Sequence, residues 1–246
     1  MLQSGNMRKR DGVRLNCFSP PVMLATIIIE LSLAVYTAVR YKMSEVTRLI
    51  TFTLVMLASF QICEFFVCTG PISHAPVWSR LGFAAISVLP PLGVHILHVL
   101  AGKKDRRLVW VAYATMVVFV AFFLIGNNAF FGYKCTGNYV IFQVAYTWGG
   151  WFTAYYYGWL AISFMMGIRW ANELMSQGKK AYKQLQTVRA LMIGWLVFIV
   201  PTVIANTIKP QVGRAIPSVM CGFAVLFALI LGFYILPRTG KLKRWA

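Results

Sequence analysis

The sequence is poor in charge, and poorest in negative charge. Only 12% of its 246 residues are charged and only six are acidic, against roughly 25% charged residues in a soluble domain. That excludes an ordinary water-soluble globule. Catalytic patterns are missing as well. There is no Ser/His/Asp set, no HExxH, no P-loop and no glycine-rich phosphate cradle, so no enzyme is expected. No CxxC occurs, which leaves a zinc or redox motif without support. With three histidines in all, no metal site and no cofactor is expected. The last apolar run holds no lysine, which argues against a retinal Schiff base.

What remains is oily. Hydrophobic residues make up 59% of the chain. Seven apolar runs lie near 20–39, 49–67, 79–100, 108–125, 149–168, 188–208 and 216–236. Each is long enough to cross a hydrocarbon core of about 30 Å as a helix. Helices are expected because lipid leaves no other partner for backbone polar groups. The fold class predicted is therefore all-α, a polytopic seven-transmembrane bundle. The predicted division is an extracytoplasmic segment 1–19, a seven-helix domain 20–237 and a basic cytoplasmic tail 238–246. The run after Pro21 is of full span length and has no small-residue cleavage site before Arg40, so it reads as a retained helix rather than a signal peptide.

Positive charge sets the expected orientation. The loops after spans 1, 3 and 5, with the C-terminus, carry sixteen lysines and arginines; the opposite side carries eight. The N-terminus is expected outside and the C-terminus inside, in the inner (plasma) membrane. Arg8, Lys9, Arg10 and Arg14 run against that count. The net charge of +18 reads as positive-inside bias and attraction to anionic lipid heads. Scattered through short loops, it does not read as a nucleic-acid surface.

Polar residues inside the runs are the candidate functional groups. Glu30 and Gln61 are expected about 12 Å below the outer face, with Glu64 one turn above Gln61. Asn206 falls near the outer end of span 6, and "TWGGWFTAYYYGW" puts Tyr156 at a similar level. An ionised carboxylate facing lipid is costly, so Glu30 and Glu64 should face the bundle. These five residues are the expected anchors of an outer-half polar-aromatic pocket for an unidentified small ligand. The competing reading is interhelical glue. Three consecutive tyrosines are not expected all to face inward on one helix.

Span 3 contains "LPPLGVHILHV". Pro90 and Pro91 lie about 18–20 Å down, remove two donors and free the carbonyls of Ile86 and Ser87. They are the candidate hinge. His95 and His98 share a face near the inner interface, with no acidic residue expected at their depth. Cys68 and Cys135 both fall on the outer side, where a disulfide between them is chemically allowed. The 4–5 connection from Asn127 to Trp148 is apolar enough for a lid, and its tail from Asn138 alternates like a strand or a surface helix. Span 5 continues into "RWANELMSQGKKAYKQLQTVR", a basic amphipathic extension expected on anionic lipid or on a protein partner.

Three stretches carry a resemblance. "VWSRLGFAAISVLPPLGVHILHVLAG" (Val77 to Gly102), "QLQTVRALMIGWLVFIVPTVIANTI" (Gln184 to Ile208) and "AIPSVMCGFAVLFALILGFYILPR" (Ala215 to Arg238) resemble the third, sixth and seventh helices of the seven-transmembrane sensor region of bacterial histidine kinases. The resemblance implies a prokaryotic N-out bundle that senses a ligand or membrane state and passes the signal inward. The chain departs from the pattern after Pro237, where "RTGKLKRWA" follows in place of a coiled coil, a phosphoacceptor helix and an ATP-binding domain. The expected function is a non-catalytic receptor-like sensor working through a separate partner. The alternatives are an accessory subunit of a membrane complex, and a small transporter or channel, though no inverted repeat is visible.

Overall fold

Proline, glycine and serine set the helix boundaries. In the computed structural model, which describes residues 20–126, 129–135, 140–208 and 216–242, α1 spans Pro20–Arg40 and α2 Glu45–Thr69. Ser44 caps α2, its Oγ accepting from the Thr47 backbone N–H at 3.3 Å, which satisfies one of the helix's orphan donors. Span 3 is two helices, α3 (Ala75–Ser87) and α4 (Leu89–Leu100), separated at Val88. Gly102 ends α4 with φ at 65°, while Lys103 N–H reaches back to the His98 carbonyl at 3.0 Å; only glycine adopts that conformation without strain.

The chain continues through α5 (Arg107–Ile125), β1 (Phe130–Cys135), β2 (Val140–Val144), α6 (Tyr146–Ser176), α7 (Tyr182–Ile208) and α8 (Ile216–Leu229). α8 passes into a π-helical stretch, Ile230–Ile235, and then α9 (Leu236–Thr239). That helix runs past the predicted boundary at residue 237. The predicted segment 1–19 and residues 243–246 lie outside the described residues.

The protein is mostly helical (84%). Among the described residues six helical stretches are long and apolar enough to cross a membrane, which makes this a multi-pass membrane protein. The remaining predicted span, the fifth at 149–168, falls in α6. Its 31 residues exceed the span length, but tyrosine, tryptophan and glycine dilute its apolar character.

α2 is central, packing against α1, α3, α4 and α8. The all-α description is broken by the antiparallel β1–β2 hairpin in the 4–5 connection, where the alternating tail forms a strand. Val140 and Phe142 point from it into the bundle and are buried. They join an aromatic core at the hairpin end, where Phe83 meets Phe123 and Phe130 at 5.0 Å, Phe142 at 5.2 Å and Phe152 at 5.6 Å between centroids. Such pairs contribute about 0.5–1.5 kcal/mol each beyond burial. Cys68 at the end of α2 is disulfide-bonded to Cys135 of β1, with Cα atoms 5.8 Å apart. Arg80 closes the same end by donating to the carbonyls of Phe123 and Leu124 at 3.2 and 3.1 Å, the exposed C-terminus of α5. A second, aliphatic core around Leu54, Leu97, Trp195 and Leu231 fills the opposite, lysine-rich end.

Candidate functional site

The break in span 3 organises the middle of the molecule. Pro90 and Pro91 occupy the first turn of α4, where a helix has no use for their missing donors. They interrupt the hydrogen-bond ladder at Val88, whose backbone stays helical (φ −78°, ψ −23°), so α3 and α4 follow one another within one span, with the interruption where the sequence places it. The carbonyl of Ser87, freed as expected, accepts a hydrogen bond from the Tyr155 hydroxyl at 2.6 Å. Ser87 Oγ donates to the Phe83 carbonyl at 2.7 Å, so both polar groups of Ser87 at the break are engaged.

Tyr155, Tyr156 and Tyr157 all turn toward protein. Tyr155 is buried against Ser87, Tyr156 lines a cavity beneath the break, and Tyr157 donates to Met220 Sδ at 3.2 Å. The expectation that one of them must face lipid is corrected. α6 has neighbours on several sides, α4, α5 and α7, so an arc of three consecutive residues still meets protein.

The cavity is lined by Thr53, Leu57, Pro90, Gly93, Tyr156 and Trp195, among others, and measures about 30 Å³. That is room for about one water molecule, well short of the several hundred Å³ that a drug-sized ligand fills. Among the described side chains of the expected pocket residues, only Tyr156 lies on it. Glu30, Gln61 and Glu64 are buried elsewhere, at 0%, 1% and 1% exposure. Gln61 and Glu64 continue the face of α2 that carries Leu57 into the cavity, about 6 and 10 Å farther toward the hairpin end. Glu30 sits on α1, and the 2.8 Å contact between Thr37 and Thr51 hydroxyls sets it within about a turn of Gln61 in depth. Among the described residues neither carboxyl oxygen of Glu30, nor Gln61 Nε2, nor Ser163 Oγ has a hydrogen-bond partner. Buried polar atoms are rarely left so. Asn206 lies in α7, and its side chain lies outside the described residues.

The lysine-rich end holds a cluster that sequence reasoning missed. Glu45, at the start of α2, is gripped by Arg106 through two hydrogen bonds, Nη2 to Oε2 at 2.9 Å and Nη1 to Oε1. His95 Nε2 lies 3.2 Å from both Glu45 Oε1 and Arg106 Nη1, and its Nδ1 lies 3.2 Å from the Tyr113 hydroxyl. Neutral His95 accepts from Arg106 through Nε2 in one tautomer and donates from Nε2 to Glu45 in the other; protonated, it donates to Glu45. The expectation that no acidic residue reaches His95 is corrected, because α2 starts beside the middle of α4. Beside this cluster, Glu173 of α6 pairs with Lys103 and, at 3.4 Å, with Arg169. The Trp170 ring stacks edge-on with His98 at 4.7 Å, and Lys103 Nζ lies 5.4 Å from its centroid.

Glu173 is held below the usual carboxylate range, first by its hydrogen bond from Lys103 and then by the Lys103 and Arg169 charges. Arg106 is pushed up, first by its hydrogen bond to Glu45. The available signal was composition: with so few acids against 24 basic residues, each acid at this end has several candidate cations. Among the described residues no three His, Cys, Asp or Glu side chains converge as a metal site requires.

Comparison with protein-family models, with curated proteins and with solved structures returned no match.

Proposed function

We propose that the chain is a non-catalytic, receptor-like sensor of the inner (plasma) membrane that acts through a protein partner. The observation that carries this reading is the 2.6 Å Tyr155–Ser87 bond at the break in span 3. A span divided at one residue gives two rigid pieces with different anchors. α3 belongs to the disulfide-tied aromatic core at the hairpin end. α4 ends in the Glu45–His95–Arg106 cluster at the other. A change at the hairpin end reaches the charged end through one hinge, and Tyr155 decides whether that hinge stays latched.

Orientation follows in the same reading. A disulfide belongs in an oxidising compartment, and the Cys68–Cys135 pair lies opposite the lysine-rich loops. Both support a reading with the hairpin outside and the C-terminus in the cytoplasm. Glu30, buried and without a hydrogen-bond partner among the described residues, supports a functional role on the outer side of the break, since a buried carboxylate without a partner costs several kcal/mol. The order of features shared with sensor regions of bacterial histidine kinases supports the same view. In this state the cavity under Pro90 holds no ligand of ordinary size, so a sensed molecule would have to open the break as it binds.

The test is a mild-detergent pull-down of the intact chain, with mass spectrometry of all retained material. A soluble signalling protein, retained by wild type and altered by Tyr155→Phe, supports the sensor. A fixed set of membrane subunits, unaffected by that substitution, replaces it with the accessory-subunit reading. Solute uptake in proteoliposomes would replace it with a transporter.

A further inference from the structure

Three features meet where α1 ends beside the last helix. A shallow, open groove runs along one face of α1, over Leu31, Ser32, Val35, Tyr36, Val39 and Arg40. Nine helical steps measure about 13.5 Å, close to one leaflet's half of a hydrocarbon core of about 30 Å. The π-helical stretch Ile230–Ile235 lies alongside. Single turns of this kind mark functional positions more often than chance. This one leaves Phe233 60% exposed, its ring 6.3 Å from that of Tyr36 on the groove.

At the end of the groove positive charge stands unanswered. Arg40, Lys42, Arg238 and Lys241 are exposed, and among the described residues none forms an ion pair. The acids of this end are committed elsewhere: Glu45 to Arg106 and His95, Asp105 to Arg107, Glu173 to Lys103 and Arg169. The two chain segments that carry Lys42 and Lys241 are joined through their backbones. Lys42 N–H donates to the Lys241 carbonyl at 2.7 Å, and the Arg238 guanidinium lies 3.6 Å over the Tyr234 ring.

We infer that this corner binds one anionic phospholipid from the leaflet on the lysine-rich side. The phosphate rests among Arg40, Lys42 and Lys241, and an acyl chain lies along Val35 and Val39. A free phosphate would match the charges but leave the groove bare. A diffuse basic surface would match the charges without needing the groove. The inference does not depend on the reading of the opposite end.

The experiment uses the full chain in detergent, titrated with phosphatidylglycerol or phosphatidylcholine and read by native mass spectrometry and thermal shift. Phosphatidylglycerol is expected to be retained and to raise Tm, and phosphatidylcholine not. Lys42→Gln with Lys241→Gln should weaken retention on the order of thirtyfold, from about 1 kcal/mol per basic residue near a membrane surface. Val35→Trp, at a position 62% exposed, should weaken it with every charge intact, and it decides the matter if the double variant fails to fold. Lys179→Gln with Lys180→Gln, on the other basic surface, should change nothing. The site is overturned if that control pair weakens retention equally, if inorganic phosphate reproduces the shift in wild type and in Val35→Trp, or if the two lipids bind alike.

Discussion

The Tyr155 hydroxyl meets the Ser87 carbonyl at 2.6 Å across 68 residues of sequence. The carbonyl was freed by Pro91, and the hydroxyl comes from a helix rich in aromatic rings. Both groups are buried, and the bond satisfies each of them.

Tyr155→Phe removes the donor and leaves that carbonyl buried and unpaired. The expected cost is about 1–3 kcal/mol, read as a lower unfolding temperature in detergent. Hydrogen exchange should rise around Val88 to Leu92 and remain unchanged in α1.

Glu30→Leu should stabilise. It exchanges a fully buried carboxyl, with no partner among the described residues, for an apolar group. A gain of about 1–3 kcal/mol is expected, together with loss of partner response in the pull-down. A loss of stability would show that the carboxyl is satisfied by a group not yet described.

Glu45→Ala and Arg106→Ala should be coupled. Both side chains are 37% exposed, so screening limits the pair to about 0.5–1 kcal/mol in a double-mutant cycle. Lys179→Ala, combined with Glu45→Ala, should give simple additivity.

Glu173 predicts an acid-side pH dependence. Its carboxyl is held below the ordinary value of 4.5 by Lys103 and then Arg169. A depressed pKa in the folded state contributes stability above the unfolded value, and that contribution disappears as pH falls through the folded one. Thermal melts from pH 6 down to about pH 3 should decline less steeply for Glu173→Gln than for wild type. Parallel curves would remove the pair from the account.

Cys68→Ser with Cys135→Ser opens a closed loop of sequence separation 67. A loss of about 2–4 kcal/mol is expected. The damage should concentrate in the β1–β2 hairpin and the Phe83 cluster, visible as faster exchange there and little change near Trp195.

The sequence alone was enough to place the helices, because hydropathy is local. An apolar run of about 20 residues satisfies its own backbone in lipid wherever its neighbours lie. The proline pair marked the break for the same reason, since a missing donor acts within one turn. Alternation after Asn138 marked a strand as one of two choices, and packing against Phe83 selected it. α6 was legible by length, although its tyrosines and glycines diluted the apolar signal.

Which side chains meet was decided by the tertiary structure. His95 and Glu45 are 50 residues apart, Arg106 and Glu45 61. Their meeting depends on how far each helix is rotated and slid along its neighbour. Periodicity records which face of a helix is buried, and it carries no record of that axial offset. The same offset turned three adjacent tyrosines to three different partners and left Glu30 enclosed, while Tyr156, alone among the described side chains of the expected residues, reached the cavity. Composition and local chemistry determined that this chain is a bundle of membrane helices; the relative rotation and depth of those helices decided which of its few polar groups are joined.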